Sequence, residues 1–177
     1  MTTKKNLLAI CGSTAANSSN LKLIHYIAQQ FSDLFNTHIS DSIAHLPHFN
    51  PDQTEDPPKA VTDFLQAIAT ADAVLICTPE YAMGVPGTLK NAIDWSVSTI
   101  VFSQKPTALI TASSLGKQGH AALMETLHII ECNISEETEL IISSIKTKIN
   151  QEGLITDTAT TSAIEKLMNA LYSKCNN

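Results

Sequence analysis

The chain has 177 residues, 44% apolar and 16% charged, enough apolar material for one sizeable core and far from the composition of a disordered segment. Its formal charge is −6 and all eleven basic residues are lysines, so no basic stripe can be drawn and nucleic acid is not an expected partner. The longest apolar runs, such as Ala73 to Cys77, fall far short of the ~20 residues that a membrane span needs, so no membrane partner is expected either.

In chain order, Lys4 and Lys5 precede an apolar run in the way a secretory leader can begin. That run, Leu7 to Cys11, breaks at once into Gly12-Ser13, too short for a leader's apolar region, and a cytoplasmic address is expected. Leu7 to Cys11 reads instead as a buried strand. From Asn17 to Leu34 the apolar residues Leu21, Ile24, Ile27, Ala28, Phe31 and Leu34 recur at helical spacing. Thr37 to Ser40 is a short second strand, and His45 to Pro58, rich in Pro, Asp and Asn, is a loop. Lys59 to Thr70 carries Val61, Phe64, Leu65 and Ile68 on one helical face. Ala73 to Cys77 is a strand with no polar alternation, as expected where helices cover both faces of a sheet.

Pro86 suits the first position of a third helix marked by Leu89, Ile93 and Val97. Lys90 and Asp94 are spaced to pair along its face. Thr107 to Thr111 is a fourth strand, Ala121 to Ile130 a helix, Glu139 to Ile142 a last strand and Thr161 to Tyr172 a final helix. Strands alternating with helices predict an α/β fold, three-layered and doubly wound around a five-stranded parallel sheet. No repeat or linker interrupts the chain, so residues 1–177 are expected to form one domain.

The four cysteines, Cys11, Cys77, Cys132 and Cys175, never form C-x-x-C, and Cys11 and Cys77 read as small buried apolar residues. His45-x-x-His48, with His38 nearby, lacks the carboxylate or cysteine partners of a metal site. Ser13 has no nucleophile elbow around it. Trp95 is read as core, subunit interface or ligand neighbour.

In a doubly wound sheet, ligands bind outside the carboxyl ends of the strands, where strand order reverses. Three polar loops fall at that predicted edge. The first, Gly12 to Asn20, runs from a strand into a helix start, a natural place for a phosphate; the alternative is that Asn17, Ser18 or Ser19 simply caps the helix. With no arginine available, a phosphate here must rest on backbone N–H groups, hydroxyls or lysine. The second, Pro79 to Gly87, offers Tyr81 and Met83 as surface for a planar ring and Glu80 for polar ring edges, unless Tyr81 folds back on the core. The third, Ala112 to His120, holds small residues that let backbone approach a ligand.

Pro79-Glu80-Tyr81, then Gly84-Val85-Pro86-Gly87, then Leu89-Lys90-Asn91-Ala92-Ile93-Asp94-Trp95 resembles the PEYN-x-x-x-PG-x-LKNAIDW hallmark of the NADPH-dependent FMN reductase family. Gly12, Ser13, Ser18 and Asn20 are similarly placed to that family's GS-x-R-x-x-S-x-N segment. Asp41 to Asp52 and Gln151 to Asp157 resemble its region after the second strand and its turn before the last helix.

The resemblance implies a flavodoxin-like strand order 2-1-3-4-5, with FMN as cofactor and NADPH or NADH as co-substrate. It implies hydride transfer to the flavin and onward to a small-molecule electron acceptor: a flavin, quinone, azo compound or metal oxyanion. It also implies a homodimer or homotetramer. The cofactor-binding residues it implies are Ser13, Ser18, Ser19 and Asn20 at the phosphate, and Pro79, Glu80, Tyr81, Ala82, Met83, Gly84, Ser113, Ser114 and Gly116 around the ring. No residue is implied as an obligate acid or base. Three positions depart from the pattern: Ala15 and His120 stand where the family has arginine, and Ala82 where PEYN has asparagine. Lys22 and Lys117 are the cations expected to compensate. A flavin-carrying electron-transfer protein and a non-catalytic relative are the alternatives these departures leave open.

Overall fold

A computed structural model describes residues 3–40 and 42–176. Asp41, the first residue of the segment likened to the region after the second strand, lies outside them, as do Met1 and Thr2 ahead of Lys4. Five strands, β1 (Lys5–Cys11), β2 (Phe35–Ser40), β3 (Ala73–Thr78), β4 (Thr107–Ser113) and β5 (Glu139–Ser143), form one sheet in the order β2-β1-β3-β4-β5. Every pairing is parallel. This is the flavodoxin-like order. The helices are α1 (Ser19–Gln30), α2 (Lys59–Thr70), α3 (Gly87–Asp94), α4 (Lys117–Ile129), α5 (Ile145–Lys148) and α6 (Thr158–Lys174).

Strand residues point alternately to the two faces, and each face has its own core. Leu8, Ile10, Val74, Ile76 and Leu109 pack beneath α2, α3 and α4 through Phe64, Ile93 and Leu123. Leu7, Ala9, Leu75, Cys77 and Ile110 pack beneath α1 and α6 through Ile24, Ile27, Ile164 and Met168. That two-sided burial is why β3 carries no polar residue before Thr78.

Element ends differ from the periodicity where capping decides them. The first helix starts at Ser19, not Asn17, because the Ser18 hydroxyl accepts from the Asn20 and Leu21 N–H groups. It stops at Gln30, where the Phe31 N–H closes on the Ile27 carbonyl, and β2 begins early at Phe35. The fourth helix begins four residues ahead of its expected start because Gly116, at φ +92°, turns the chain into it. The last helix begins at Thr158, with the Asp157 carboxylate accepting from the Thr160 N–H at 2.8 Å. Val97 lies beyond α3 and is exposed. The four-residue α5 had no periodicity to announce it.

Trp95 belongs to the core and is 1% exposed. Its indole Nε1 donates to the Pro47 carbonyl at 2.8 Å, and Phe49 stands edge-on to its ring at 5.2 Å. Asn91 clamps the same loop from both sides: its Nδ2 donates to Pro47 O at 3.0 Å and its Oδ1 accepts from Phe49 N at 2.7 Å. Lys90 and Asp94 pair along the exposed face of α3.

His120 is buried and joins three elements. Its Nδ1 lies 2.8 Å from the Thr111 hydroxyl on β4, and its Nε2 lies 3.1 Å from Glu139 Oε2 on β5. The tautomer protonated at Nε2 satisfies both: the ring donates to Glu139 and accepts from Thr111. Replacing His120 by leucine strands the Thr111 hydroxyl, which is 1% exposed, and such an orphan costs about 1–3 kcal/mol. We expect His120→Leu to lower the unfolding free energy in urea by about 2 kcal/mol. Adding Thr111→Val recovers at least half of that, because no buried polar group is then left alone.

Candidate functional site

The chain crosses from β1 into α1 directly over the end of β3. A Cβ at Gly12 would overlap the Thr78 hydroxyl and lie 2.8 Å from Thr78 Cβ, so only glycine permits this crossing. The crossing brings the Gly12–Asn20 loop beside the ends of β3 and β4, and Asn20 fastens it there. The Asn20 Nδ2 donates to the Ala112 carbonyl at 3.0 Å, from the start of α1 to the end of β4. Asn20 is 3% exposed, and its Oδ1 has no protein donor.

Around this corner opens a cleft of about 620 Å³. Ser13, Ser18, Ser19, Asn20, Pro79, Glu80, Tyr81, Ser113 and Ser114 line it, so each of the three expected loops contributes. Ala15, Asn17 and Ala112 line it too. A fourth wall, not expected from the sequence, is Ser144-Ile145-Lys146-Thr147 after β5. It is tied to the third loop by the Ser144 N–H, which donates to the Ser114 carbonyl at 3.3 Å.

Ala82, Met83, Gly84 and Gly116 do not line the cleft, and each has a backbone reason for its place. Tyr81 and Gly84 exchange both backbone hydrogen bonds, each at 2.9 Å, closing a two-residue turn. Within it Ala82 (φ 48°) and Met83 (φ 63°) are both left-handed. This is a type I′ hairpin, which favours Asn-Gly at its centre. Met83 is 72% exposed and Tyr81 54%, so Tyr81 does not fold back on the core. Gly116 makes the turn into α4.

Glu80 is committed within the protein. One carboxylate oxygen accepts from the Gly119 N–H at 2.6 Å, in the first turn of α4, where a negative charge is favoured. A Cβ at Gly119 would stand 2.7 Å from Gly84 O and 3.1 Å from Glu80 Cγ, so the second and third loops are locked in backbone contact. Ser18, likewise, spends its hydroxyl on capping α1.

The cations expected near the phosphate are elsewhere. Lys22 reaches across to the Gln151 carbonyl at 3.3 Å, and Lys117 does not line the cleft. Cys11 is buried beside the first loop, its thiol donating to the Ser13 carbonyl at 3.3 Å. Burial pushes the Cys11 and Cys77 thiols up and Cys132 up to about 11, so none of the three is a thiolate at neutral pH.

Residues 6–142 match the family model described as NADPH-dependent FMN reductase. The chain belongs to this family. It is 31% identical over 169 residues to a 2-hydroxy-1,4-benzoquinone reductase of Burkholderia, spanning 92% of this chain and 91% of that one. It is 31% identical over 172 residues to an NAD(P)H-dependent FMN reductase of Pseudomonas aeruginosa, spanning 93% and 92%. Among solved structures, the flavoenzyme NAD(P)H:(acceptor) oxidoreductase FerB of Paracoccus denitrificans superposes with a TM-score of 0.86 at 28% identity, covering 97% of each chain. FMN as cofactor, a reduced nicotinamide as co-substrate and an oxidoreductase reaction follow from membership of the FMN reductase family.

The residues of the cleft fit such a cofactor. FMN is anionic at one end, polyhydroxylated in the middle and planar at the other. The hydroxyls of Ser13, Ser19 and Thr147, the Asn17 amide and the Lys146 ammonium suit an anion. The orphaned, buried Asn20 Oδ1 calls for a donor, which a polyol supplies. Tyr81 and the small residues Ala112, Ser113 and Ser114 leave room for a plane.

The hairpin also explains the family's asparagine at position 82. Asparagine tolerates the left-handed region, where alanine is disfavoured by about 1 kcal/mol. We therefore expect Ala82→Asn to raise the unfolding free energy by about 0.5–1 kcal/mol in urea, and Ala82→Gly to raise it by no more than that. A fall in stability with both would mean that the turn is not type I′.

Proposed function

We propose that this cleft holds FMN, with the phosphate at the Gly12–Asn20 loop and the ring between the Pro79–Tyr81 and Ala112–Ser114 segments. The observation that carries this is the meeting of four strand-end loops around Asn20, whose buried amide oxygen awaits a donor. Bound there, FMN supplies hydride chemistry between a reduced nicotinamide and a small acceptor.

The chain's own work is binding and orientation. Ser13, Asn17 and Ser19 direct hydrogen bonds at the phosphate beside the positive end of α1. Asn20 accepts from the polyol. Pro79 and Tyr81 form one flank of the ring and Ser113 and Ser114 the other. Glu80 fixes both flanks to α4 through Gly119 and, being engaged there, holds the loop in position rather than moving a proton. Exposed Tyr81, Met83 and Leu115, on the two loops beside the ring, offer apolar and polarisable surface to planar substrates. That surface suits quinones, azo compounds or flavins, the substrate classes in the relatives' names.

Val97, Ile100 and Ile129 expose large apolar side chains away from the cleft, and this reading takes them as contacts between copies in a homodimer or homotetramer. A cytoplasmic address, where reduced nicotinamides are available, goes with it.

The FMN-loaded protein should lose its visible flavin absorbance when mixed anaerobically with NADH or NADPH, and recover it when a quinone is added. Initial rates with both substrates varied should give parallel double-reciprocal lines. A flavin that neither nicotinamide bleaches would make the protein an electron carrier instead. FMN should also bind with a dissociation constant at or below the micromolar range, about −8 kcal/mol, and riboflavin at least tenfold more weakly. Equal affinities would remove the phosphate from the cleft.

A further inference from the structure

A phosphate in this cleft carries between one and two negative charges, and nothing in the first loop neutralises it. Hydroxyls and backbone N–H groups bind a phosphate by directed hydrogen bonds but bring no formal charge. The chain has no arginine, and Ala15 stands where the family places one. Lys22 and Lys117, the two cations nearest in sequence to the first and third loops, are turned to Gln151 O and absent from the cleft wall, respectively.

Among the described residues, Lys146 is the one basic side chain that lines the cleft, on the wall after β5. Its backbone is well held. Ile145 beside it is 4% exposed and packed in the core beneath α1 and α6, and Ser144 is bonded to the Ser114 carbonyl. The strand-like return Ile149–Ile155 and the Thr156 N–H on Lys148 O brace the segment from the other end. The Lys146 side chain itself is exposed and forms no ion pair with a carboxylate among the described residues. A cation fixed at its base and uncommitted at its tip, lining the same cleft as Ser13 and Asn17, is free to serve an anionic ligand.

We propose that Lys146 supplies the positive charge that holds the FMN phosphate, taking over from the wall after β5 the role that an arginine at position 15 has in the family. This rests on the cleft being the FMN site. Lys146 is then a residue that reads the phosphate: it contributes to the affinity for FMN and nothing to the affinity for riboflavin.

The test is a set of flavin-fluorescence titrations with FMN and with riboflavin, at low and high ionic strength, on the wild type, Lys146→Gln, Lys146→Arg, Ala15→Arg and Ala15→Arg/Lys146→Gln. Circular dichroism and thermal unfolding establish that each variant is folded. Lys146→Gln should weaken FMN binding about tenfold at low salt, with riboflavin unchanged, and the difference should shrink at high salt as the pair is screened. Lys146→Arg should bind FMN within about twofold of the wild type. Ala15→Arg should restore tight binding to the Lys146→Gln protein while adding little to the wild type, because one charge already serves the phosphate. A Lys146→Gln protein that binds FMN as tightly as the wild type, while both still prefer FMN to riboflavin, would overturn the role of Lys146 and leave the cleft as the FMN site. A wild type without that preference would overturn both.

Discussion

Parallel strands covered by helices on both faces have only their edges and ends open, and in this sheet the chain runs outward in two directions from the middle. From β1 it moves to β2 on one side; from β3 onward it moves to β4 and β5 on the other. The crossing that begins this divergence, Gly12 over Thr78, admits no side chain. It brings the start of α1 over the ends of β3 and β4, close enough for Asn20 to bond the Ala112 carbonyl, one residue before the end of β4. The cleft is a consequence of that approach: its walls are whatever residues follow the four strands that end beneath it.

The family's long motif divides between two tasks. Pro79, Glu80 and Tyr81 face the cleft or brace it. Asn91 and Trp95, farther along the motif, do not line the cleft and hold the loop at Pro47 and Phe49 by three hydrogen bonds and a ring contact. Between them the Tyr81–Gly84 hairpin is fixed to the start of α4 by Glu80 and Gly119. A residue conspicuous in the motif is therefore as often a brace as a contact. Position 82 shows the difference. Alanine there looks like a lost ligand contact in the sequence, whereas the backbone shows a left-handed turn position whose side chain is exposed and away from the cleft.

The alternation of strands and helices was legible because both sheet faces are buried. Runs such as Ala73 to Cys77 are unbroken, and the helices over them keep a clear apolar stripe. The strand-end loops can be located for the same reason, and Ser13, Asn20, Tyr81 and Ser113, expected at that edge, line the cleft. Helix starts do not show in the periodicity where a cap, not a stripe, sets the boundary, as at Ser18 and Gly116. Small residues near the edge could not be sorted into those facing the cleft and those making turns, since both needs select glycine and alanine. The fourth wall is not legible from periodicity because β5 is only partly buried and α5 has four residues, too few for any period. Its signal is present all the same: Ser143 at the end of the fifth strand, then Ser144, Lys146 and Thr147, repeat the polar run that follows the first and fourth.

Moving a positive charge from the first loop to this fourth wall changes what the charge can do. A guanidinium is a rigid fork that meets two phosphate oxygens in one plane, so it directs as well as attracts. An ammonium on a flexible four-carbon stem acts as a point charge with rotatable donors and imposes little geometry. In the proposed site the two functions are therefore separated. Direction comes from Ser13, Asn17, Ser19 and the first N–H groups of α1, whose positions are set by the Gly12 crossing and the Ser18 cap. Charge comes from Lys146, whose base is set by the burial of Ile145. The first set distinguishes a phosphate from other anions by shape, and the second adds attraction to any of them. Because these groups stand on elements far apart in sequence, binding the phosphate also ties the start of α1 to the segment that follows β5.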